Sequence, residues 1–300
     1  MAEPASHEVF SKIAPESLDD LRAIEARVEE ITAQAAPATV SLELGRQGTG
    51  SGVVVGTEGY ILTAAHVIGD AGRRIGVTFP DGRVETAITL GSDKRNDAGL
   101  AKLEGEGPWP HVDMAEEGGR ITYGDWVVAL GHPGGFDAER SIVVRLGRVV
   151  RVRTQAIQSD CSLIGGDSGG PLFNMEGKVV GIHSRIGSSE RTNIHVPIDE
   201  YHIYWDRLIS DRPPVILGVR IDSDPQGRGV VVTSVGRRTP AAQAGLRTGD
   251  IITAIDGQAV LSQRDVTDIF NFKVPGDALR ISVLRDEQEI ELEVRLGGIL

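Results

Sequence analysis

Apolar positions between residues 17 and 34 recur at steps of three and four. Leu18, Leu21, Ile24, Val28 and Ile31 fall on one face, with charged residues between them. That spacing predicts an amphipathic helix, with Ser17 and Asp20 as its capping pair. The period then changes. From Thr39 to about Pro197 the chain breaks into short β-branched and apolar runs at 40–44, 52–55, 60–62, 75–79, 83–90, 100–103, 126–130, 142–152, 178–183 and 194–196, separated by Gly, Pro and Asp. Many short strands at this spacing predict an antiparallel barrel or sandwich. Residues 197–210, with Tyr201, Tyr204 and Trp205, read as a short helix, and Asp211-Arg-Pro-Pro214 as a linker. Beyond it lies a second unit, 215–300. It has strands at 218–221, 229–235, 251–255, 279–285 and 289–296, and helices at 240–245 and about 263–271. The expected organisation is a tail and helix over 1–36, a β domain over 37–210 and an α+β domain over 215–300.

Composition narrows the function classes. The 300 residues are 40% hydrophobic and 25% charged, as in globular proteins that fold in water. A net charge of −12 disfavours nucleic acid and anionic lipid as partners. Cys161 is the single cysteine, so no intramolecular disulfide forms. No apolar run is long enough for a membrane span, which needs about 18 residues. The opening Met-Ala-Glu-Pro lacks the basic and apolar regions of a signal peptide. That leaves a cytoplasmic chain, or a mature extracytoplasmic one with Met1 added. His111, His132, His183, His195 and His202 show no metal-ligand spacing, and no metal or cofactor is expected. The glycines at 48 and 50 do not complete a dinucleotide fingerprint, because Val53 stands where the third is needed.

Candidate chemistry centres on 165–173, Gly-Gly-Asp-Ser-Gly-Gly-Pro-Leu-Phe. A serine between glycines can sit at the tip of an open turn. The neighbouring backbone N–H groups can then converge beside its hydroxyl. Upstream, Leu62-Thr-Ala-Ala-His66 ends an apolar run on a histidine, and Asn96-Asp97 precedes Leu100-Ala-Lys-Leu103. Acyl transfer through a serine needs a base, a carboxylate to orient that base, and donors for the oxyanion. Ser168, His66, Asp97 and the N–H groups of Gly166 and Ser168 supply this set.

Thr63-Ala-Ala-His66, Asp97 with Leu100, and Gly166-Asp-Ser-Gly-Gly-Pro171 resemble the chymotrypsin-type serine proteases. Thr49-Gly-Ser-Gly52, Gly131-His-Pro-Gly134, Gln158-Ser-Asp160 and Asn193-Ile-His-Val-Pro197 resemble the HtrA/Deg family within them. The resemblance covers nearly all of 37–300 and implies a double antiparallel β-barrel followed by a PDZ domain. Two positions depart from the family pattern. Asp167 stands where asparagine is usual. With no activation-type N-terminus to receive, it is expected to pair with an arginine, Arg145 or Arg151, or to face solvent. Cys161 stands where alanine is common, and reads either as a redox switch or as a small buried apolar residue. Ser162 occupies the position of the acidic pocket floor of trypsin-like enzymes. With Leu163 and Ile164 beside it, the resemblance implies cleavage after small or medium apolar residues. Ser184, Arg185 and Ile186 are expected to pair with an extended substrate.

Ile216-Leu-Gly-Val219, Thr239-Pro-Ala-Ala-Gln-Ala-Gly-Leu246, Gly249-Asp-Ile251 and Ile255-Asp-Gly257 resemble a PDZ domain of the HtrA type. Leu217, Gly218 and Val219 would then hold a peptide carboxylate, and Val266 and Phe270 would line the groove. The implied function is an endopeptidase acting on misfolded or extended polypeptides, with a homotrimer as the common assembly. Alternatives are a PDZ-based chaperone with little or regulated proteolysis, or a regulatory protease with one target.

Overall fold

A computed structural model describes residues 6–45, 48–119, 121–186, 193–213 and 215–298. It divides into two compact units, one ending at His202 and one beginning at Ile203. Helices α1 (Ser6–Ser11) and α2 (Leu18–Ala35) lead into the first unit. Ser17 caps α2 by accepting the Asp20 N–H, as the capping pair predicts. The apolar stripe is only half used. Ile24 and Ile31 are buried, whereas Leu18 and Leu21 stay 61% and 53% exposed. The lower part of α2 therefore packs on the domain and its start does not.

Strands β1 (Thr39–Glu43), β2 (Thr49–Val55), β3 (Tyr60–Ala64), β4 (Arg74–Thr78), β5 (Val84–Asp93) and β6 (Ala98–Leu103) close a barrel in the order β1-β2-β3-β6-β5-β4. Val40, Leu42, Val53, Ile61, Val77 and Leu100 are fully buried in it. A short helix, α3 (Ala65–Ile68), follows β3. Strands β7 (Trp126–Gly131), β8 (Val143–Arg153), β9 (Ala156–Ser159), β10 (Pro171–Asn174), β11 (Val179–Ile186) and β12 (Asn193–Pro197) close a second barrel in the order β10-β11-β12-β9-β8-β7. Every pairing within both barrels is antiparallel. The strand pattern alone left barrel and sandwich open, and the two barrels are the double barrel that the resemblance implied; closure removes exposed strand edges.

Helix α4 (Ile198–Ser210) contains the division between the units. The second unit is a sheet of β14 (Val219–Ser223), β15 (Val230–Val235), β16 (Ile251–Ile255), β18 (Ala278–Arg285) and β19 (Gln288–Arg295), in that order, with the short β17 (Gln258–Ala259) on β16. Two-residue strands β13 (Val215–Ile216) and β20 (Gly297–Gly298) pair beside it. Helices α5 (Pro240–Ala244) and α6 (Gln263–Asn271) complete it. Ser262 and Asp265 form a reciprocal capping box at the start of α6. The core, with Val232, Ile252, Ile281, Val294 and Val266 among its members, is the unit's own. No described helix is long and apolar enough to cross a membrane.

Candidate active site

The first barrel presents His66 and Asp97. His66 lies in α3, just past the buried strand β3, and its ring is half exposed. Asp97 sits where the chain enters β6, in a left-handed backbone conformation (φ 61°). Its carboxylate accepts the His66 backbone N–H at 3.0 Å. It also meets His66 Nδ1 at 2.9 and 3.0 Å through its two oxygens. The second barrel adds Ser184, whose hydroxyl donates to Asp97 Oδ2 at 2.5 Å. Burial pushes the Asp97 carboxyl up, but the donors from His66 and Ser184 outweigh it and hold it below the ordinary carboxylate value. A bulge puts Ser184 there. The β11–β12 register shifts between His183 and Arg185, so His183 and Ser184 both turn inward. The sequence marks Ser184 as a substrate contact; its bond to Asp97 needs the bulge to be seen.

Ser168 stands on the turn between β9 and β10. Its carbonyl accepts the Ser51 N–H at 2.8 Å, and the Ser51 hydroxyl donates to Gly166 O at 2.8 Å. Ser51, on β2, thus ties the serine turn to the first barrel. Gly166 has φ 98°, and a Cβ there would run into the Gly134 backbone, so only glycine fits. Among the described residues, the N–H groups of Gly166 and Ser168 donate to nothing. The Ser168 hydroxyl and His66 Nε2 likewise make no hydrogen bond there.

Asp167 is fully buried and pairs with Arg145 at 2.8 and 3.1 Å. It also accepts the Ile164 N–H at 2.9 Å. Burial raises its carboxyl, partly offset by Ile164 and Arg145. Of the alternatives open in the sequence, the structure realises the ion pair, with Arg145. Cys161 is buried, and burial pushes its thiol up to about 11, which keeps it protonated and a poor nucleophile at neutral pH.

Leu163, Ile164, Ser184, Arg185 and Ile186 line a narrow cleft with Ser168 and His183. Ser162 does not line it. Ser162 is exposed between the buried Cys161 and Leu163. Behind the cleft lies a buried chain that the sequence did not signal. The Ser159 hydroxyl donates to His195 Nε2 at 2.7 Å, and the two Nδ1 atoms of His195 and His183 meet at 2.9 Å. His183 Nε2 donates to Leu130 O at 3.1 Å. Burial lowers both imidazoles, His195 to about 3, so each is neutral.

In the second unit, β14 is an edge strand. Leu217 is buried, Gly218 has φ 85°, and a Cβ at Gly218 would strike Thr239. Val219 begins β14. Val266 belongs to the core and Phe270 packs against it. Gln263, which the sequence did not single out, donates to Ile221 O at 2.8 Å and so ties α6 to β14. No cluster of three or more His, Cys, Asp or Glu side chains among the described residues is placed to hold a metal ion.

Residues 50–182 match the trypsin-like peptidase domain family and residues 215–296 the PDZ domain family. A probable periplasmic serine endoprotease, DegP-like, from Pseudomonas putida (strain GB-1) is 32% identical over 273 residues, 84% of this chain and 57% of that protein. The chain thus spans little more than half the length of this relative. The putative serine protease HhoA of Synechocystis sp. is 31% identical over 282 residues, 84% of this chain and 71% of its own. The solved HtrA-type protease AlgW with tripeptide has a TM-score of 0.65 and 28% identity, covering 91% of this chain and 97% of its own.

Proposed function

Because the chain belongs to the HtrA-type serine endoproteases, we propose that it is itself a serine endopeptidase acting through Ser168, His66 and Asp97. One arrangement carries the reading: an oriented His66–Asp97 pair on one barrel, facing a serine turn with two undonated N–H groups on the other. His66 Nε2 takes the hydroxyl proton as Ser168 Oγ attacks the peptide carbonyl. Asp97 holds the opposite ring nitrogen protonated and stabilises the imidazolium. The N–H groups of Gly166 and Ser168 receive the oxyanion. His66 then protonates the departing amine, and water, deprotonated by His66, releases the acyl group from Ser168.

Among the described residues, no carboxylate lines the cleft beside Ser168, which supports a small or medium apolar residue before the cleaved bond. In a casein digest read by mass spectrometry, cuts follow Val, Ala, Ile or Leu; dominant cuts after Lys or Arg overturn this. Edge strand β14, the Leu217-Gly218-Val219 turn and the Val266 and Phe270 side of α6 support capture of a peptide C-terminus as an added strand. Misfolded or extended polypeptides are the substrate class this pairing suits. The exposed Leu18 and Leu21, with Ile13 at 97% exposure, support self-association through the N-terminal segment, as a homotrimer.

A regulated enzyme, in which a bound C-terminal peptide controls the protease, is the second reading. A fluorophosphonate probe tests both readings. Labelling of the wild type and not of Ser168→Ala supports the peptidase. Labelling that appears only with a C-terminal peptide present supports regulation. No labelling under either condition favours a binding protein.

A further inference from the structure

The backbone that presents His66 and Asp97 is gripped from behind by one turn of α4. Asn96, directly before Asp97, is buried, and its Nδ2 donates to Glu200 Oε2 at 2.5 Å. Tyr201, the next residue of α4, donates its hydroxyl to Thr63 O at 2.5 Å, three residues before His66. Two adjacent side chains therefore hold both catalytic segments. The need is visible in the backbone. A non-glycine residue in the left-handed region costs about 1–3 kcal/mol and persists only when its surroundings impose it. Asp97 adopts that conformation (φ 61°). Asp93 fixes the turn from the other side, accepting the Arg95 and Asn96 N–H groups at 2.9 and 3.3 Å.

We infer that Glu200 is a positioning residue for the Asp97–His66 pair: through Asn96 it holds the turn that aims the Asp97 carboxylate at the imidazole. The role rests on the peptidase reading but lies outside its chemistry, since Glu200 touches neither substrate nor a reacting atom. Its setting is built for a fixed side chain. Glu200 is 5% exposed and Asp93 1%. Asp93 and Asp199 face it with negative charge, Arg95 with positive charge and Asn96 with its amide. Burial, then Asp93, pushes the Glu200 carboxyl up to about 7. A neutral carboxyl avoids a second buried anion beside Asp93 and still offers an oxygen to Asn96.

The test compares wild type, Glu200→Ala and Glu200→Gln in the full chain. It reads the fluorophosphonate labelling rate of Ser168, kcat and KM on a peptide substrate, and the proton NMR signal of His66 Nδ1–H. Glu200→Ala should slow labelling and lower kcat roughly ten- to a hundredfold, with KM within about twofold. It should also move the Nδ1–H signal. Glu200→Gln keeps an acceptor for Asn96 and should restore the rate to within about threefold of wild type at pH 6. Wild-type labelling by Glu200→Ala, or no rescue by glutamine, would overturn the proposal. If Glu200→Ala does not fold, Asn96→Ala removes the same bond, and wild-type rates there overturn it. A wild type that is never labelled would refute the peptidase reading instead. In that case an unchanged His66 Nδ1–H signal in the variants would separately refute this one.

Discussion

Single residues carry the sharpest energetic consequences, because buried ionisable groups hold the site. Glu200 has its carboxyl raised from 4.5 to about 7 in the fold. A group raised on folding contributes stability that is complete below its unfolded value and is lost as pH climbs through the folded one. Between pH 4.5 and 7 the wild type should therefore lose on the order of 3 kcal/mol through this group. Glu200→Gln cannot ionise, so its urea midpoint should gain on the wild type from pH 5 to pH 8; a constant gap would contradict this. The Arg145–Asp167 pair behaves differently. Removing the arginine alone, as in Arg145→Met, strands a fully buried carboxylate and should cost about 3–5 kcal/mol. Adding Asp167→Asn should recover most of that in a double-mutant cycle by urea denaturation, because no charge is left unpaired. The sequence left Asp167 either paired with Arg145 or Arg151 or facing solvent. Arg145 and Arg151 share strand parity on β8 but stand at opposite ends of it, Arg145 opposite Ala129 and Arg151 opposite Gln158, and only the fold shows which end meets the serine turn. His66, Asp97 and Ser168 could be singled out as candidates because acyl transfer restricts residue types and local frames. Ser184 on Asp97, Asn96 on Glu200 and Tyr201 on Thr63 could not, since each joins segments that only the tertiary fold brings together.

At the level of elements, legibility followed the strength of the local pattern. Strands with clear alternation, such as β5 and β18, appear close to where the apolar period puts them. Strand β2 begins at Thr49, earlier than its period suggests, because pairing with β1 overrides the poor strand propensity of Thr-Gly-Ser-Gly. Strands β9 and β10, four residues each, carry too short a period to register and are defined by their neighbours in the barrel. Helix α2 was legible as a helix, yet its periodicity could not say which part of the stripe would be covered. The bare end, Leu18 and Leu21 beside Ile13, makes a prediction. Leu18→Ser with Leu21→Ser should shift the mass by light scattering toward the monomer, with the Ser168 labelling rate as a check on folding. An unchanged mass would exclude this face as the contact.

Across the whole molecule, two units with separate cores share one chain, and the proposed chemistry and the proposed recognition lie in different units. Damage to recognition can therefore be made without touching the catalytic barrels. Gly218 is the place to do it. Its left-handed backbone and its close approach to Thr239 exclude a branched side chain. Gly218→Val should distort the Leu217–Val219 turn and weaken binding of an apolar C-terminal peptide, read by fluorescence anisotropy, at least tenfold (about 1.4 kcal/mol). Basal fluorophosphonate labelling of Ser168 should stay at the wild-type rate, because His66, Asp97, Ser168 and Ser184 all belong to the first unit. If peptide binding controls the protease, the peptide-dependent rise in labelling seen in the wild type should vanish in Gly218→Val, since a ligand shifts an equilibrium only by its differential affinity for the two states. A rise that survives the loss of peptide binding would place the control at the cleft itself, with the peptide acting there as substrate.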